Sequence, residues 1–68
     1  MNDIVDIGRK IAKRRKFLKL TQTQLSEISG VSLRGLKTIE SGEGNPTLGQ
    51  LIKVLQALGL NINIGTRC

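Results

Sequence analysis

Sixty-eight residues make one small domain with a marginal core; the lone cysteine is the last residue and histidine is absent, which excludes an internal disulfide and leaves zinc without a ligand set. Eleven Lys and Arg against five Asp and Glu give a net charge of +6, which favours a polyanionic partner. Phe17 is the one aromatic ring, too few for single-strand binding by base stacking, and no apolar run approaches a signal peptide or a membrane span.

In chain order, a first helix is expected over residues 3–19. Ile4, Ile7, Ile11 and Leu18 recur at helical spacing and define its expected buried stripe. Asp3 and Asp6 near the start and the bases toward the end suit the helix dipole. Seven of the eleven basic residues lie between Arg9 and Lys19. Such a run is either a solvated face or a surface for a polyanion. Phe17 falls off the stripe and either covers a neighbouring loop or sits at an interface.

Thr21 followed by Gln24 has capping-box spacing and opens a second helix over 22–29, with Leu25 and Ile28 as its apolar edge. Ser29-Gly30-Val31 breaks it. Ser32 is a good N-cap for a third helix over 33–41, anchored by Leu36 and Ile39 and ended by Gly42. Two short helices across a glycine-containing turn make a helix-turn-helix, whose second helix suits the major groove of DNA.

Helical geometry puts Arg34, Lys37 and Thr38 opposite Leu36 and Ile39, with Ser32 and Leu33 at the tip. Arg34 is the best candidate for a bidentate contact to guanine, with a plain phosphate contact as the alternative. Leu33 suits a thymine methyl, and Thr38 a base or a phosphate. Lys37, and Arg14 from the first helix, suit phosphates.

Residues 42–46 are dense in turn formers. Thr47 and Gln50 repeat the capping box and open a fourth helix, with Leu48, Leu51, Ile52, Leu55 and Leu58 as its apolar face and Gly59 at its end. Leu60, Ile62 and Ile64 then alternate with asparagines, as a strand does. A single apolar strand needs a partner, and the economical one is the same strand of a second copy, antiparallel about a two-fold axis. The alternative is a loose extension packed by Ile62 alone. The expected organisation is a DNA-binding domain over 1–59 and a dimerisation strand and tail over 60–68. Cys68 is expected to be a free thiol.

The run from Arg15 to Leu60 resembles the lambda-repressor/Cro-like (XRE) helix-turn-helix family in Thr21-Gln22, in Gly30-Val31-Ser32 and in Glu40-x-Gly42. The close, PTLGQLIKVLQALGL before a short strand, is similar to the HipB-type antitoxin branch. The resemblance implies an all-α, compact four-helix domain whose C-terminal β-strand pairs across a homodimer. It also implies a sequence-specific, double-stranded-DNA-binding repressor of palindromic operators, antitoxin to a HipA-like serine/threonine kinase in a toxin-antitoxin module that autoregulates its operon.

By the same likeness, Ser32, Leu33, Arg34 and Thr38 match base-reading positions. Gln22 matches a phosphate clamp, and Thr21 and Ser41 match neighbouring backbone contacts, with Thr21 also a cap. Arg15 and Glu40 match an ion pair that aims the guanidinium at the DNA backbone. Two residues depart from the family. Lys19 stands where glycine usually follows the first helix, so that corner is expected to be tight or strained. Gly35 lies early in the third helix, where it weakens the helix and leaves room for close approach to DNA.

The expected chain is cytoplasmic, without membrane partner or cofactor, and not an enzyme. There is no histidine, no paired-carboxylate arrangement, and GEGNP lacks the context of a phosphate loop. The alternatives are a stand-alone XRE-type regulator, or a basic protein- or membrane-docking module built on residues 9–19. Ile7, Ile11 and Leu18 decide the last of these: buried against the other helices they cannot enter lipid, and exposed they revive it.

Overall fold

The computed structural model describes residues 3–60, which form four helices: α1 (Asp3–Phe17), α2 (Gln22–Ser29), α3 (Leu33–Ser41) and α4 (Leu48–Ala57). The expected strand partners Ile62 and Ile64, and Cys68, lie outside the described residues. Among the described residues there is no strand.

Local capping sets the helix starts. Thr21 and Gln24 close one capping box, Thr47 and Gln50 close another, and Ser32 accepts from the Gly35 amide. Each reciprocal pair satisfies amides that a helix start leaves without partners. The helix ends are set by left-handed residues. Gly42 at φ 78° and Gly59 at φ 73° end α3 and α4, and the next amides reach back to Thr38 and Leu55.

α1 ends in the same way, but with Lys19 at φ 60°. The Lys19 amide bonds the Lys16 carbonyl at 2.9 Å and the Leu20 amide bonds the Arg15 carbonyl at 3.0 Å. The helix therefore stops at Phe17 rather than at Lys19 as expected. A lysine carries out a glycine's conformation there, which is the strain the sequence suggested.

The core is Ile11, Leu25, Val31, Leu36, Ile39, Val54 and Leu58, drawn from every helix and from the turn between α2 and α3. α1 packs on α3, and α2 packs on both α3 and α4. The stripes expected from periodicity need correction. On α1 the buried positions are Gly8, Ile11 and Arg15, while Ile7 and Leu18 stay more than a third exposed. Ile28 on α2 is 60% exposed and Leu48 on α4 is 56% exposed, while Val54 is buried in their stead.

The physical reason is close approach. A Cβ on Gly8 would collide with the Ile39 carbonyl oxygen and lie 2.9 Å from that of Glu40. One on Gly42 would lie 2.9 Å from the Val5 backbone. α1 thus presses its glycine against the end of α3, and this contact turns Ile7 partly out, while Leu18 lies past the helix in the turn that Lys19 closes.

Candidate nucleic-acid interface

α3 is strongly two-faced. Leu36 and Ile39 are buried, whereas Arg34, Lys37 and Thr38 are exposed on the other side. Ser32 and Ser41 are exposed at the two ends, and Leu33 is half-buried behind the tip. The side chains of Arg34 and Lys37 form no ion pair or hydrogen bond among the described residues, so both are available to an outside anion. Gly35 does not open the helix toward that side. Its missing side chain would point at Ser32 Oγ, 3.1 Å away, and at Val31.

Proton bookkeeping separates the four hydroxyls. Ser32 Oγ and Thr21 Oγ1 accept from the Gly35 and Gln24 amides at 3.0 Å, so each keeps its own proton to donate. Thr38 Oγ1 donates to the Arg34 carbonyl at 3.0 Å, and Ser41 Oγ to the Thr38 carbonyl at 2.9 Å. A phosphate only accepts. Thr21 and Ser32 can meet one as they stand, whereas Thr38 and Ser41 must first release a backbone carbonyl.

Behind this surface lies a buried polar joint. Arg15 meets Glu40 in a fork, Nε to Oε2 at 2.8 Å and Nη2 to Oε1 at 3.0 Å, and Arg15 Nη1 donates to the Leu20 carbonyl at 2.8 Å. The two side chains are 11% and 7% exposed. The hydrogen bond to Glu40 raises the Arg15 pKa above its ordinary value; desolvation opposes this and the carboxylate's charge adds to it. The sign is that of a partnered base: the arginine's contribution holds through the whole neutral range and is lost only at extreme alkalinity.

Gln22 Nε2 donates to Glu40 Oε1 at 3.2 Å. The carboxylate therefore ties α1, the start of α2 and the end of α3 together. Gln22, matched to a phosphate clamp, is held by the same carboxylate that holds Arg15. Nothing in the sequence marks the Gln22–Glu40 bond, whereas a glycine inside a helical pattern is a visible signal for the role of Gly8.

The structure does not bring Arg14 into this group. Successive helical residues point about 100° apart, so Arg15 faces α3 while Arg14 turns to the end of α4. There Arg14 Nε donates to the Leu58 carbonyl at 3.1 Å, and its guanidinium lies 5.3 Å from the Phe17 ring centre. These contacts use Nε and the face of the guanidinium and leave the Nη donors to meet a phosphate. Arg15, also expected at the DNA backbone, is buried and committed to Glu40 and Leu20.

Among the described residues no cluster of His, Cys, Asp and Glu could hold a metal, and no helix is long and apolar enough to cross a membrane.

Residues 11–64 match the helix-turn-helix family. The chain is 40% identical over 57 residues to the cryptic phage CTXphi transcriptional repressor RstR of Vibrio cholerae, covering 84% of this chain and 51% of the relative. It is 37% identical over 59 residues to the uncharacterized HTH-type transcriptional regulator y4mF of Sinorhizobium fredii, covering 87% and 78%. It is also 40% identical over 57 residues to the immunity repressor protein of Bacillus phage phi105, covering 84% and 40%. The chain thus spans about half the length of RstR and less of the phi105 repressor. With most of its residues inside the match and the two-helix joint built as described, this chain belongs to the XRE-type helix-turn-helix family.

Proposed function

We propose that this chain is a sequence-specific repressor of double-stranded DNA that works as a homodimer on a palindromic operator. The observation that carries this reading is the outer side of α3: Arg34, Lys37 and Thr38 exposed, Ser32 at the tip with a proton to donate, and Leu36 and Ile39 locked beneath. Two such helices, one per protomer, would lie about 34 Å apart to meet successive major-groove turns. Residues 1–59 are the DNA-binding unit, and 60–68, with Leu60, Ile62 and Ile64, the dimerising segment. That two of the relatives carry the name of phage repressors supports repression as the outcome of binding.

Within this reading Ser32, Leu33, Arg34 and Thr38 face the bases, and Thr21, Gln22, Lys37 and Ser41 face phosphates. Arg15 serves the joint with Glu40 rather than the DNA directly. A further role as antitoxin to a HipA-like kinase is supported only by the likeness of residues 46–60 to the HipB-type branch. A kinase encoded beside this chain that co-purifies with it would support that role, and an isolated transcription unit would remove it. The membrane-docking alternative is removed only at Ile11, which is fully buried; Ile7 and Leu18 are exposed at 37% and 38%, so burial does not decide against it at those two positions.

The test is selection of bound sequences from random duplex DNA. A palindromic consensus is expected, with affinity falling steeply as salt rises. In the same assay Arg34→Ala should relax preference at one symmetric position, at a cost of about 1–3 kcal/mol. A uniform loss over all sequences would reduce Arg34 to a phosphate contact, and absence of any consensus would end the repressor reading.

A further inference from the structure

α1 and α4 flank a groove of about 450 Å³ whose floor is Ile7, Ile11, Leu48, Leu51, Leu55 and Leu60. α4 packs on α2 rather than across this gap. Lys10 stands at the rim, and a second hollow continues the surface past Lys13 to Phe17, which is 72% exposed. α4 brings the leucines of the floor, and α1 brings two isoleucines together with the bases at the rim. α4, LGQLIKVLQA, has no acidic residue, and α1 supplies Lys10 and Lys13 one turn apart. Asp6 is the acid nearest to them along α1, one turn before Lys10 and outside the groove lining.

We propose that this groove docks an acidic amphipathic helix of a partner protein, its apolar stripe seated on Leu48, Leu51 and Leu55 and its carboxylates on Lys10 and Lys13. Shape and charge select this occupant. A trough between two helices accepts a third helix as ridges fit grooves. A sugar-phosphate backbone would satisfy the lysines but leave the leucines in water. A bilayer surface would not follow a concave trough. A second copy of this chain would bring Lys10 and Lys13 of both copies to one seam, with no acid on α4 to answer them. The ten residues of α4 span about 15 Å, room for two to three turns of a bound helix. Apart from Leu60, which it shares with the proposed dimerising segment, this site lies on α1 and α4 and not on the outer side of α3.

The probe is a peptide of about 14 residues with leucines at helical i, i+3, i+4, i+7 spacing and glutamates between them. Its control has the same composition with the stripe scrambled. Amide shifts of the 68-residue chain are followed on titration. Saturable shifts are expected around Ile7, Lys10, Leu51 and Leu55 with the striped peptide. K10E/K13E, at two exposed positions that leave the core intact, should weaken binding about tenfold or more. Arg34→Ala should leave it unchanged, so failure here and failure of DNA recognition read out separately. Equal binding of the scrambled peptide, shifts centred on Arg34 and Lys37, or indifference to K10E/K13E would each overturn the proposal. So would tighter binding to phosphatidylglycerol vesicles than to the peptide. Nuclear Overhauser contacts from the groove to Ile62 or Ile64 of either copy, with no peptide present, would give the groove to the chain itself and overturn it as well.

Discussion

α1 treats its two neighbours in opposite ways. Toward α3 it presents a glycine, a buried isoleucine and a buried arginine, and the two backbones nearly touch. Toward α4 it presents isoleucine and lysine side chains across an open apolar trough. The first contact fixes the angle at which α3 shows Arg34 and Thr38. The second leaves large aliphatic side chains only partly covered, although the sequence reads them as core. Apolar content therefore marks neither contact correctly. The tight joint depends on a missing side chain and an ion pair, and the loose one is rich in leucine.

That contrast can be broken most sharply at Glu40. Glu40→Ala should cost about 3–5 kcal/mol, because Arg15 and Gln22 lose their shared carboxylate while Arg15 stays buried. Urea unfolding measures it. R15M/E40L should be more stable than Glu40→Ala, since it removes both charges together, yet should bind DNA more weakly than the parent chain because α3 is no longer aimed. A double variant with undiminished DNA affinity would show that the joint only stabilises.

Gly8→Ala comes next, at about 1–3 kcal/mol, because the new methyl meets two backbone carbonyls that cannot yield. Its unfolding midpoint should fall well below that of Gly49→Ala, a helical glycine whose Cβ would meet nothing closer than 3.9 Å. Arg14→Ala, on the trough side, should cost only about 1 kcal/mol through the lost Leu58 carbonyl bond and the lost ring contact. It should leave sequence preference in DNA binding untouched; a changed consensus would mean that α4's end also steers α3. The smallest effect has the opposite sign. Lys19→Gly relieves the left-handed turn after α1 and should raise stability by about 0.5–1 kcal/mol, read as a higher melting temperature.

The helix-turn-helix itself was legible residue by residue. α2 and α3 run over the residues that their caps and glycines indicated, Gln22–Ser29 and Leu33–Ser41. The Arg15–Glu40 pair followed from likeness to a family rather than from local chemistry, since its partners are 25 residues apart. Arg14 and Arg15 are alike in the sequence and opposite in use, one capping α4 and the other buried against α3.

The sequence alone determined where α2 and α3 start and stop and where α4 starts, because a cap is satisfied by atoms three or four residues away and is written in that short span; the end of α1, closed by a left-handed lysine, was not legible in the same way. It also determined the two faces of α3, because 3.6-residue periodicity separates Leu36 and Ile39 from Arg34 and Lys37 within two turns. Only the tertiary structure decided how α1 is rotated about its axis. That rotation is set by a clash-free approach of Gly8 to the backbone of α3, and it alone chose which isoleucines went inside and which were left to line a trough.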